Sequence, residues 1–427
     1  MSDADQLGND PARLQWFRDQ GIGLFVHWSV DAQLGSVISH TLVGSSADYA
    51  ERYFEELPQT FDPQRFDPGE WARLASVTGM GYVVFTTKHH NGFAMWDTDT
   101  TAFNVTNTPN GRDIVAELVE ASRAYDLPVG FYFSPEDFHV LYEQGHDISR
   151  RADVAQPTNN PELMEHNLAQ IEELFTDYGD VATLFLDGEP DGLKERAWEL
   201  QPEVVVTRGA METPEQHQRD EPLDEAWEGN LTIGSQWAYK AGNEQYKSGR
   251  ELIDYLVQTR AKGGNLLLNV GPRPDGTIPL TQEDRLRELG LWGFVNREAI
   301  RGVRPAERIR HGDVWFTLAD RSDPTTVYAF LLGEPWLRSS EPRTIAIPGV
   351  RPTAETTVDV LGQSGRVFEY QPDVDPATTW RETDDGISVT ATRAQRLYNA
   401  DTYGDVPDDV RWANPAVLAL RNVSPPR

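Results

Sequence analysis

The chain has 427 residues, of which 39% are hydrophobic and 10% aromatic, so it is long enough for a large folded domain plus a smaller one and is unlike a disordered chain. Its formal net charge of −30 argues against nucleic acid and anionic membrane surfaces as partners, because both are repelled by it. The absence of cysteine excludes disulfides, thiolate catalysis and cysteine-ligated metals.

The balance of charged residues points to a particular environment. Asp and Glu total 68 against 38 for Lys and Arg, and only five of the basic residues are Lys. Such a surface stays hydrated when salt is concentrated, since screening removes its self-repulsion. We expect adaptation to a salt-rich cytoplasm, with an ordinary acidic mesophilic enzyme as the alternative. Residues 1–10 are polar and acidic, unlike a signal peptide, and no stretch is long enough to span a bilayer.

Short apolar runs separated by helical patterns occupy residues 20–300. Continuous apolar runs are typical of strands buried on both faces, as in a parallel sheet. Apolar residues recur at helical spacing within 112–125 and 248–261, and Thr281 is predicted to cap the start of a last long helix. The predicted strands, in chain order, are 23–30, 82–87, 129–134, 183–187, 204–207, 232–239 and 266–270.

Seven strands that alternate with helices predict an α/β fold, a TIM-like (β/α)8 barrel whose eighth strand is irregular. A doubly wound sheet is the alternative, but that fold usually carries a glycine-rich phosphate turn, and this sequence has none. The polar stretch 141–160 has no periodic pattern and is predicted to be a long loop over the mouth of the barrel.

The pattern changes after Arg304 and Pro305. Short alternating segments at 314–318, 326–332 and 344–347 are separated by turn residues, and no long helix follows. This pattern predicts an antiparallel β-sandwich. We therefore expect a catalytic barrel over residues 1–304 and a C-terminal β-sandwich over 305–427, to which the sequence assigns no role.

Polar residues follow five of the predicted strands. In a barrel of this kind, reactive side chains gather at the carboxyl ends of the strands. Five such ends predict one convergent site. The residues are His27 with Trp28, the run Lys88-His89-His90-Asn91-Gly92, Tyr132, Asp187 and Arg208.

The adjacent His89 and His90 raise the question of a metal. Consecutive residues at a strand end point in different directions, and neither the His-x-His nor the His-Glu-x-x-His spacing is present. We therefore expect no metal and no other cofactor. Two interpretations remain: neutral imidazoles that hydrogen-bond sugar hydroxyls, and structural caps of the strand.

Asp187 ends an apolar run and precedes Gly188. A strand-end aspartate either caps the following helix or serves as a catalytic carboxylate. Hydrolysis of a glycoside requires two carboxylates, a nucleophile or base and an acid, and the distance between them sets the stereochemical outcome. The nearest later candidates for the second carboxylate are Glu212, Glu215 and Glu228.

Three segments, in matching order and spacing, resemble those of the family 29 glycoside hydrolases, the α-L-fucosidases. They read Gly-Leu-Phe-Val-His-Trp at 23–28, Lys-His-His-Asn-Gly-Phe at 88–93 and Gly-Gly-Asn-Leu-Leu-Leu-Asn-Val-Gly-Pro at 263–272. The resemblance covers residues 12–304. It implies a retaining exo-hydrolase of fucosylated oligosaccharides or glycoconjugates, with an irregular (β/α)8 barrel, a C-terminal β-sandwich and no metal cofactor.

Matched motif by motif, the resemblance assigns Asp187 as the nucleophile. An aromatic wall near the sugar has a physical reason, because fucose lacks the 6-hydroxyl and its methyl group needs a dry contact. The residues that the resemblance places around the sugar are His27, His89, His90 and Tyr132 at the hydroxyls, Arg208 near the ring and Trp237 at the methyl group.

The acid/base varies in position within the family. Glu215, in Thr-Pro-Glu-Gln, resembles a motif that carries it in some members, Glu228 is the second candidate and Glu212 a further one. The chain departs from the family at residues 37–42, where many relatives have a sugar-binding Glu-Trp pair and this sequence reads Val-Ile-Ser-His-Thr-Leu. His40 is a candidate substitute there as a hydroxyl partner.

Other interpretations remain open at the level of sequence. The same scaffold serves a retaining exo-glycosidase for another sugar, and a non-catalytic carbohydrate-binding relative keeps the pocket without the acid. A structural role leaves the polar strand ends without a purpose. The sequence leaves the linkage, the aglycone and a homo-oligomeric state open.

Overall fold

The computed structural model describes residues 7–319, 323, 325–333, 336, 339–368, 371–395 and 414–426. Its first part contains seven parallel strands and nine α-helices. The strands are β1 Ile22–Val26, β2 Val83–Lys88, β3 Val129–Phe133, β4 Thr183–Leu186, β5 Val205–Val206, β6 Glu228–Thr232 and β7 Asn265–Val270. The helices are α1 Pro11–Gln20, α2 Ala47–Glu51, α3 Pro68–Val77, α4 Ile114–Arg123, α5 Phe138–Glu143, α6 Pro161–Thr176, α7 Leu193–Leu200, α8 Gly249–Ala261 and α9 Leu280–Asn296.

The seven strands form one curled, TIM-like parallel sheet in the order β5-β4-β3-β2-β1-β7-β6. This order follows the chain around a ring, as in a barrel, so the doubly wound alternative is wrong. All residues of these strands are buried, because helices cover one side and side chains fill the other. The predicted irregular barrel is confirmed.

An irregular segment, residues 212–216, lies along the free edge of β6. The carbonyl of Glu212 accepts from the N–H of Glu228 at 3.1 Å, and that of Pro214 accepts from the N–H of Asn230 at 2.8 Å. Pro214 has no N–H to donate, and Gln216 has a positive φ of 58°, so the segment cannot continue as a regular strand. It brings Glu215 to the barrel edge between β5 and β6.

The glycine-rich motif at 263–272 forms the turn into β7 and the strand itself. Gly263 has a φ of 91°, and a Cβ on Gly264 would lie 2.4 Å from the Trp227 ring, so both positions require glycine. Near the end of the same strand, Asn269 hydrogen-bonds with His27 and Trp237, which line the cavity described below. The motif therefore combines a packing requirement with a site residue.

Two predicted elements are misplaced. The last long helix begins at Leu280 with Pro279 as its N-cap, because the Pro279 carbonyl accepts from the N–H of Glu283 at 3.0 Å; Thr281 lies inside the first turn and is not the cap. The strand predicted at 232–239 lies instead at 228–232, as β6. Because β6 contains the polar residues Glu228, Asn230 and Thr232, it has no apolar run by which a strand could be recognised.

The C-terminal strands are β8 Arg304–His311, β9 Val314–Leu318, β10 Val327–Leu331, β11 Ser339–Pro348, β12 Arg351–Val360, β13 Thr379–Glu382, β14 Gly386–Arg393 and β15 Val417–Ser424. They form two antiparallel sheets, in the orders β12-β15-β10-β9-β8 and β11-β14-β13. One hydrophobic core contains side chains from both sheets, so they pack face to face as predicted for a β-sandwich.

The outer face of the five-stranded sheet packs against the barrel helices. The ring of Trp292, on α9, lies 6.3 Å from that of Phe330, on β10, and its indole N–H donates to the carbonyl of Pro415 at 2.8 Å. Because one hydrophobic core spans both parts, the domain boundary at 304/305 stays a prediction.

No helix in the described part of the chain has both the length and the apolar character that a bilayer crossing requires. Residues 1–6, which belong to the segment considered for a signal peptide, lie outside the described residues.

Candidate active site

A cavity of about 250 Å³ opens at the carboxyl ends of the parallel strands. Pockets for drug-sized ligands have volumes of roughly 300–1,000 Å³. This cavity is smaller, and its volume suits one sugar ring. The predicted strand ends therefore meet in one place. The residues that line the cavity are Phe25, His27, Val37, Ile38, His40, His89, His90, Tyr132, Arg150, Phe185, Asp187, Arg208, Glu215 and Trp237.

Asp187 directly follows β4, and its N–H donates to the carbonyl of Phe133 at 3.0 Å, which fixes it beside β3. Its Oδ2 accepts from the Tyr132 hydroxyl at 2.7 Å, and its Oδ1 accepts from the Arg208 guanidinium at 2.8 Å. The next helix, α7, has Gly192 as its N-cap. The helix-cap interpretation of Asp187 is therefore wrong.

The surroundings of Asp187 keep it ionised. Burial raises its pKa, but the hydrogen bond and charge of His90 and the guanidinium groups of Arg208 and Arg150 outweigh burial and hold the pKa well below its ordinary value. The side chain is thus a carboxylate over the physiological pH range, and it lies in a cavity open to a ligand. These are the properties a carboxylate nucleophile needs.

His89 and His90 both line the cavity, with their ring centroids 4.3 Å apart. The two rings have different surroundings. Burial, followed by the charge of His90, lowers the pKa of His89 well below its ordinary value, so this ring is neutral. The Oγ of Ser39 lies 2.7 Å from its Nδ1. The Nε2 of His90 lies 3.4 Å from the Oδ2 of Asp187.

His27 and Trp237 form the opposite wall, with their ring centroids 5.0 Å apart. Burial lowers the pKa of His27 to about 4, which leaves it neutral at physiological pH. Asn269 ties the two together: its Oδ1 lies 2.6 Å from the Nδ1 of His27, and its amide group donates to the carbonyl of Trp237 at 2.6 Å. Its position inside the 263–272 segment, which resembles the α-L-fucosidases, was the only sequence signal for this role.

Arg208, which follows β5, contacts both candidate carboxylates. Its Nη1 donates to Asp187, and its Nη2 pairs with the Oε1 of Glu215. Glu215 lies at the rim, with 40% of its side chain exposed. The two carboxylates are therefore separated by no more than the span of one guanidinium and its contacts.

The other candidate acids lie elsewhere. Glu228 begins β6, is fully buried and accepts from the Tyr82 hydroxyl at 2.5 Å. Burial raises its pKa to about 7, a value that suits a general acid, but the residue does not line the cavity, and an acid must first be within reach. Glu212 pairs with Arg219 and does not line the cavity either.

The segment 37–42, where the chain departs from the family, still forms part of the cavity wall. His40 is exposed at the mouth, with its ring 5.6 Å from that of His90. Ser39 has a positive φ of 61°, and its N–H donates to the buried carboxylate of Asp31 at 2.6 Å. The segment thus presents the Ser39 hydroxyl to His89 in place of a Glu-Trp pair.

Two charged residues near Asp187 were not predicted. Arg150 belongs to the stretch 141–160, and its Nη2 lies 3.7 Å from the Oδ1 of Asp187. Glu136, just after β3, lies behind His90 and outside the cavity lining. No periodic pattern marks either residue, because loop contacts depend on tertiary packing.

His89, His90 and Asp187 present ligand atoms within 4.8 Å of one another, which raises the metal question again. The groups around them do not fit a cation. Both oxygens of Asp187 already accept from Tyr132 and Arg208, and two guanidinium groups border the same carboxylate. A metal would have to displace these donors and approach two fixed positive charges.

Comparison with known proteins gives a consistent result. A model of the family described as Alpha-L-fucosidase matches residues 2–298. The chain is 30% identical to the alpha-L-fucosidase of Dictyostelium discoideum over 379 residues, which is 78% of this chain and 80% of that protein. It is 31% identical to the plasma alpha-L-fucosidase of Homo sapiens over 359 residues, or 75% and 76% of the two chains.

The fold agrees with these relationships. Alpha-L-fucosidase isoenzyme 1 from Paenibacillus thiaminolyticus is similar in structure, with a TM-score of 0.72 and 26% identity over 96% of this chain and 98% of that one. The resemblance stated from three short motifs extends over most of the sequence. The chain therefore belongs to the α-L-fucosidase family of glycoside hydrolases.

Proposed function

We propose that this glycoside hydrolase removes terminal α-L-fucose from oligosaccharides or glycoconjugates by double displacement, with Asp187 as nucleophile and Glu215 as acid/base. The observation that carries the proposal is the Arg208 guanidinium, which contacts both carboxylates beside a cavity of about 250 Å³. Retention of configuration requires two carboxylates about 5–5.5 Å apart, and a shared guanidinium keeps them close.

In the first step, Asp187 attacks the anomeric carbon while protonated Glu215 donates to the departing glycosidic oxygen. An ester between the sugar and Asp187 results. In the second step, Glu215, now ionised, takes a proton from water, and that water displaces Asp187. Pairing with Arg208 is the arrangement expected of ionised Glu215, and its exposed position on the irregular segment leaves it room to turn toward the leaving oxygen.

The neutral imidazoles of His27 and His89 suit hydroxyl recognition, because a neutral ring offers one donor and one acceptor. Trp237 and Phe25 supply the apolar side of the cavity, with ring centroids 6.1 Å apart. A methyl group is favoured there over a hydroxymethyl group, whose hydroxyl would lose its water partners. This supports fucose over other sugars on the same scaffold.

The first prediction concerns the sugar. We expect kcat/KM for 4-nitrophenyl α-L-fucoside to exceed that for the α-L-galactoside, which differs only by a 6-hydroxyl, by about 10²-fold or less, the limit for rejecting an added hydroxyl in an apolar pocket. The β-D-galactoside should not be turned over. Equal or faster hydrolysis of either galactoside would contradict the fucose assignment, and fucose binding without turnover of any substrate would identify a non-catalytic carbohydrate-binding protein.

We also propose that the enzyme works in a salt-rich cytoplasm, on the basis of its net charge of −30. Raising KCl from 0.1 M to 2 M shortens the Debye length and screens this self-repulsion, so we expect the melting temperature to rise by about 5 °C or more. KCl is used because sulfate stabilises proteins generally. A melting temperature that stays constant or falls over this range would favour an ordinary acidic mesophilic enzyme.

A further inference from the structure

Glu136 is a buried carboxylate that does not line the cavity but contacts His90, which does. It follows β3, and its Oε2 lies 2.9 Å from the Nδ1 of His90 and 3.2 Å from the Nε of Arg150. Neither Oε2 contact is a well-directed hydrogen bond. Positive charge favours a buried carboxylate, and here Arg150 always supplies one charge, while His90 supplies a second when both of its ring nitrogens are protonated.

The hydroxyl of Ser134 indicates whether the Nδ1 atom of His90 carries a proton. The Ser134 oxygen lies 2.5 Å from Nδ1, and the hydroxyl donates its own hydrogen to the carbonyl of Glu136 at 2.8 Å. The hydroxyl oxygen can therefore only accept from Nδ1. The Nδ1 atom carries a proton, directed at Ser134, with Glu136 close by.

The second ring nitrogen of His90 also faces an acceptor. Its Nε2 lies 3.4 Å from the Oδ2 of Asp187, which the Tyr132 hydroxyl already contacts. Because ionised Asp187 has no hydrogen to donate, an unprotonated Nε2 would set two lone pairs against each other. These contacts are the ones expected when both nitrogens of His90 are protonated and the ring is an imidazolium.

The neighbouring histidine rings add no further positive charge beside His90. The rings of His27, His40 and His89 all have lowered pKa values, in each case chiefly through burial, and are neutral. Arg150 is the other fixed cation on this side of Asp187. Burial alone would lower the pKa of His90, but Asp187 and Glu136 outweigh burial and raise it.

We propose that Glu136 is a positioning residue of the reaction, which keeps His90 doubly protonated and Arg150 beside Asp187 throughout the catalytic cycle. The consequence rests on the proposed function. When Asp187 becomes an ester it loses its negative charge, and His90 loses one of its two counter-ions. Glu136 supplies the other, so His90 stays charged and Arg150 stays in place, and both can stabilise Asp187 as it departs as a carboxylate.

The test is an NMR titration of the nine histidines, labelled with ¹⁵N, in the full-length protein. His90 is identified by its loss in the His90→Gln variant. In the wild type, we expect both ring nitrogens of His90 to be protonated at pH 7. In Glu136→Gln, which keeps the size and loses the charge, the pKa of His90 should fall by about one pH unit or more.

The control is Glu143→Gln, on α5, where the carboxylate is exposed and lies 3.8 Å from the Nδ1 of His139 rather than near His90. It should leave the His90 titration unchanged. A second variant, Arg150→Gln, should shift the pKa of His90 upward, because it removes a cation and frees Glu136 to pair with His90 alone. This variant changes a side chain that is 35% exposed, so it decides the matter if Glu136→Gln does not fold.

A neutral His90 at pH 7 in the wild type, or a His90 titration that neither variant shifts, would overturn the inference. The titration needs no turnover, so such a result would leave the roles proposed for Asp187 and Glu215 untouched. Conversely, an inactive enzyme with the expected titration would refute the proposed function and keep the charge assignment.

Discussion

Asp187→Gly should lower kcat for an aryl α-L-fucoside by at least about 10³-fold, with partial recovery in molar sodium azide. The substitution removes the carboxylate that both Tyr132 and Arg208 orient in the cavity. It also leaves a space beside the anomeric carbon that is large enough for a small anion. Azide in that space performs the attack that Asp187 no longer can.

The product distinguishes this explanation from others. Azide that attacks from the position of Asp187 inverts the anomeric carbon once, so the product is the β-L-fucosyl azide. The control is Asp191→Gly, which changes an exposed aspartate in the loop after β4 that pairs with Lys194. It should retain wild-type activity. Near wild-type turnover in Asp187→Gly, in a sample whose melting temperature matches that of the control, would contradict the assignment of the nucleophile.

The strands that the sequence predicted well are those whose residues are apolar because both faces of the strand are buried. A strand of a parallel sheet with helices on one side and a packed interior on the other is apolar throughout, which is why β2, β3 and β4 were predicted within two residues. Strand β6 breaks this rule, since Glu228 and Asn230 are polar and completely buried. The Tyr82 hydroxyl donates to one oxygen of Glu228, and the amide group of Asn230 donates to the carbonyl of Glu228; no single-sequence pattern contains such partners.

The residues of the candidate site also fall into two groups, those that the sequence predicted and those that it did not. Residues that directly follow a strand, such as His27 and Asp187, were predicted because the fold gathers strand ends. Glu136 and Arg150 were not, since their proximity to Asp187 depends on how two loops pack. The choice between Glu215 and Glu228 depends on strand register: Glu215 reaches the rim on an irregular segment, whereas Glu228 starts a strand. Spacing alone cannot decide that difference.

The matched pair Glu215→Gln and Glu228→Gln tests the acid/base directly. For a fucosylated oligosaccharide, whose sugar leaving group needs a proton, Glu215→Gln should lower kcat/KM by about 10²–10⁴-fold. For 4-nitrophenyl α-L-fucoside, whose leaving group departs as a stable anion, the loss in kcat/KM should be much smaller. Azide should then react with the Asp187 ester and yield the α-L-fucosyl azide, because two inversions give net retention.

Glu228→Gln should keep turnover of both substrates within a few-fold of the wild type, because Tyr82 can still donate to the amide oxygen and the residue lies outside the cavity.

The effect of Glu228→Gln should appear in the stability of the protein. Burial raises the pKa of Glu228 to about 7, above its unfolded value, so the wild type loses stability as pH rises from about 4.5 through 7. Relative to the wild type, Glu228→Gln should therefore gain about 3 kcal/mol in the free energy of unfolding between pH 4 and pH 8. If instead Glu228→Gln loses oligosaccharide turnover and Glu215→Gln does not, the acid/base role belongs to Glu228, and the cavity must rearrange when the sugar binds.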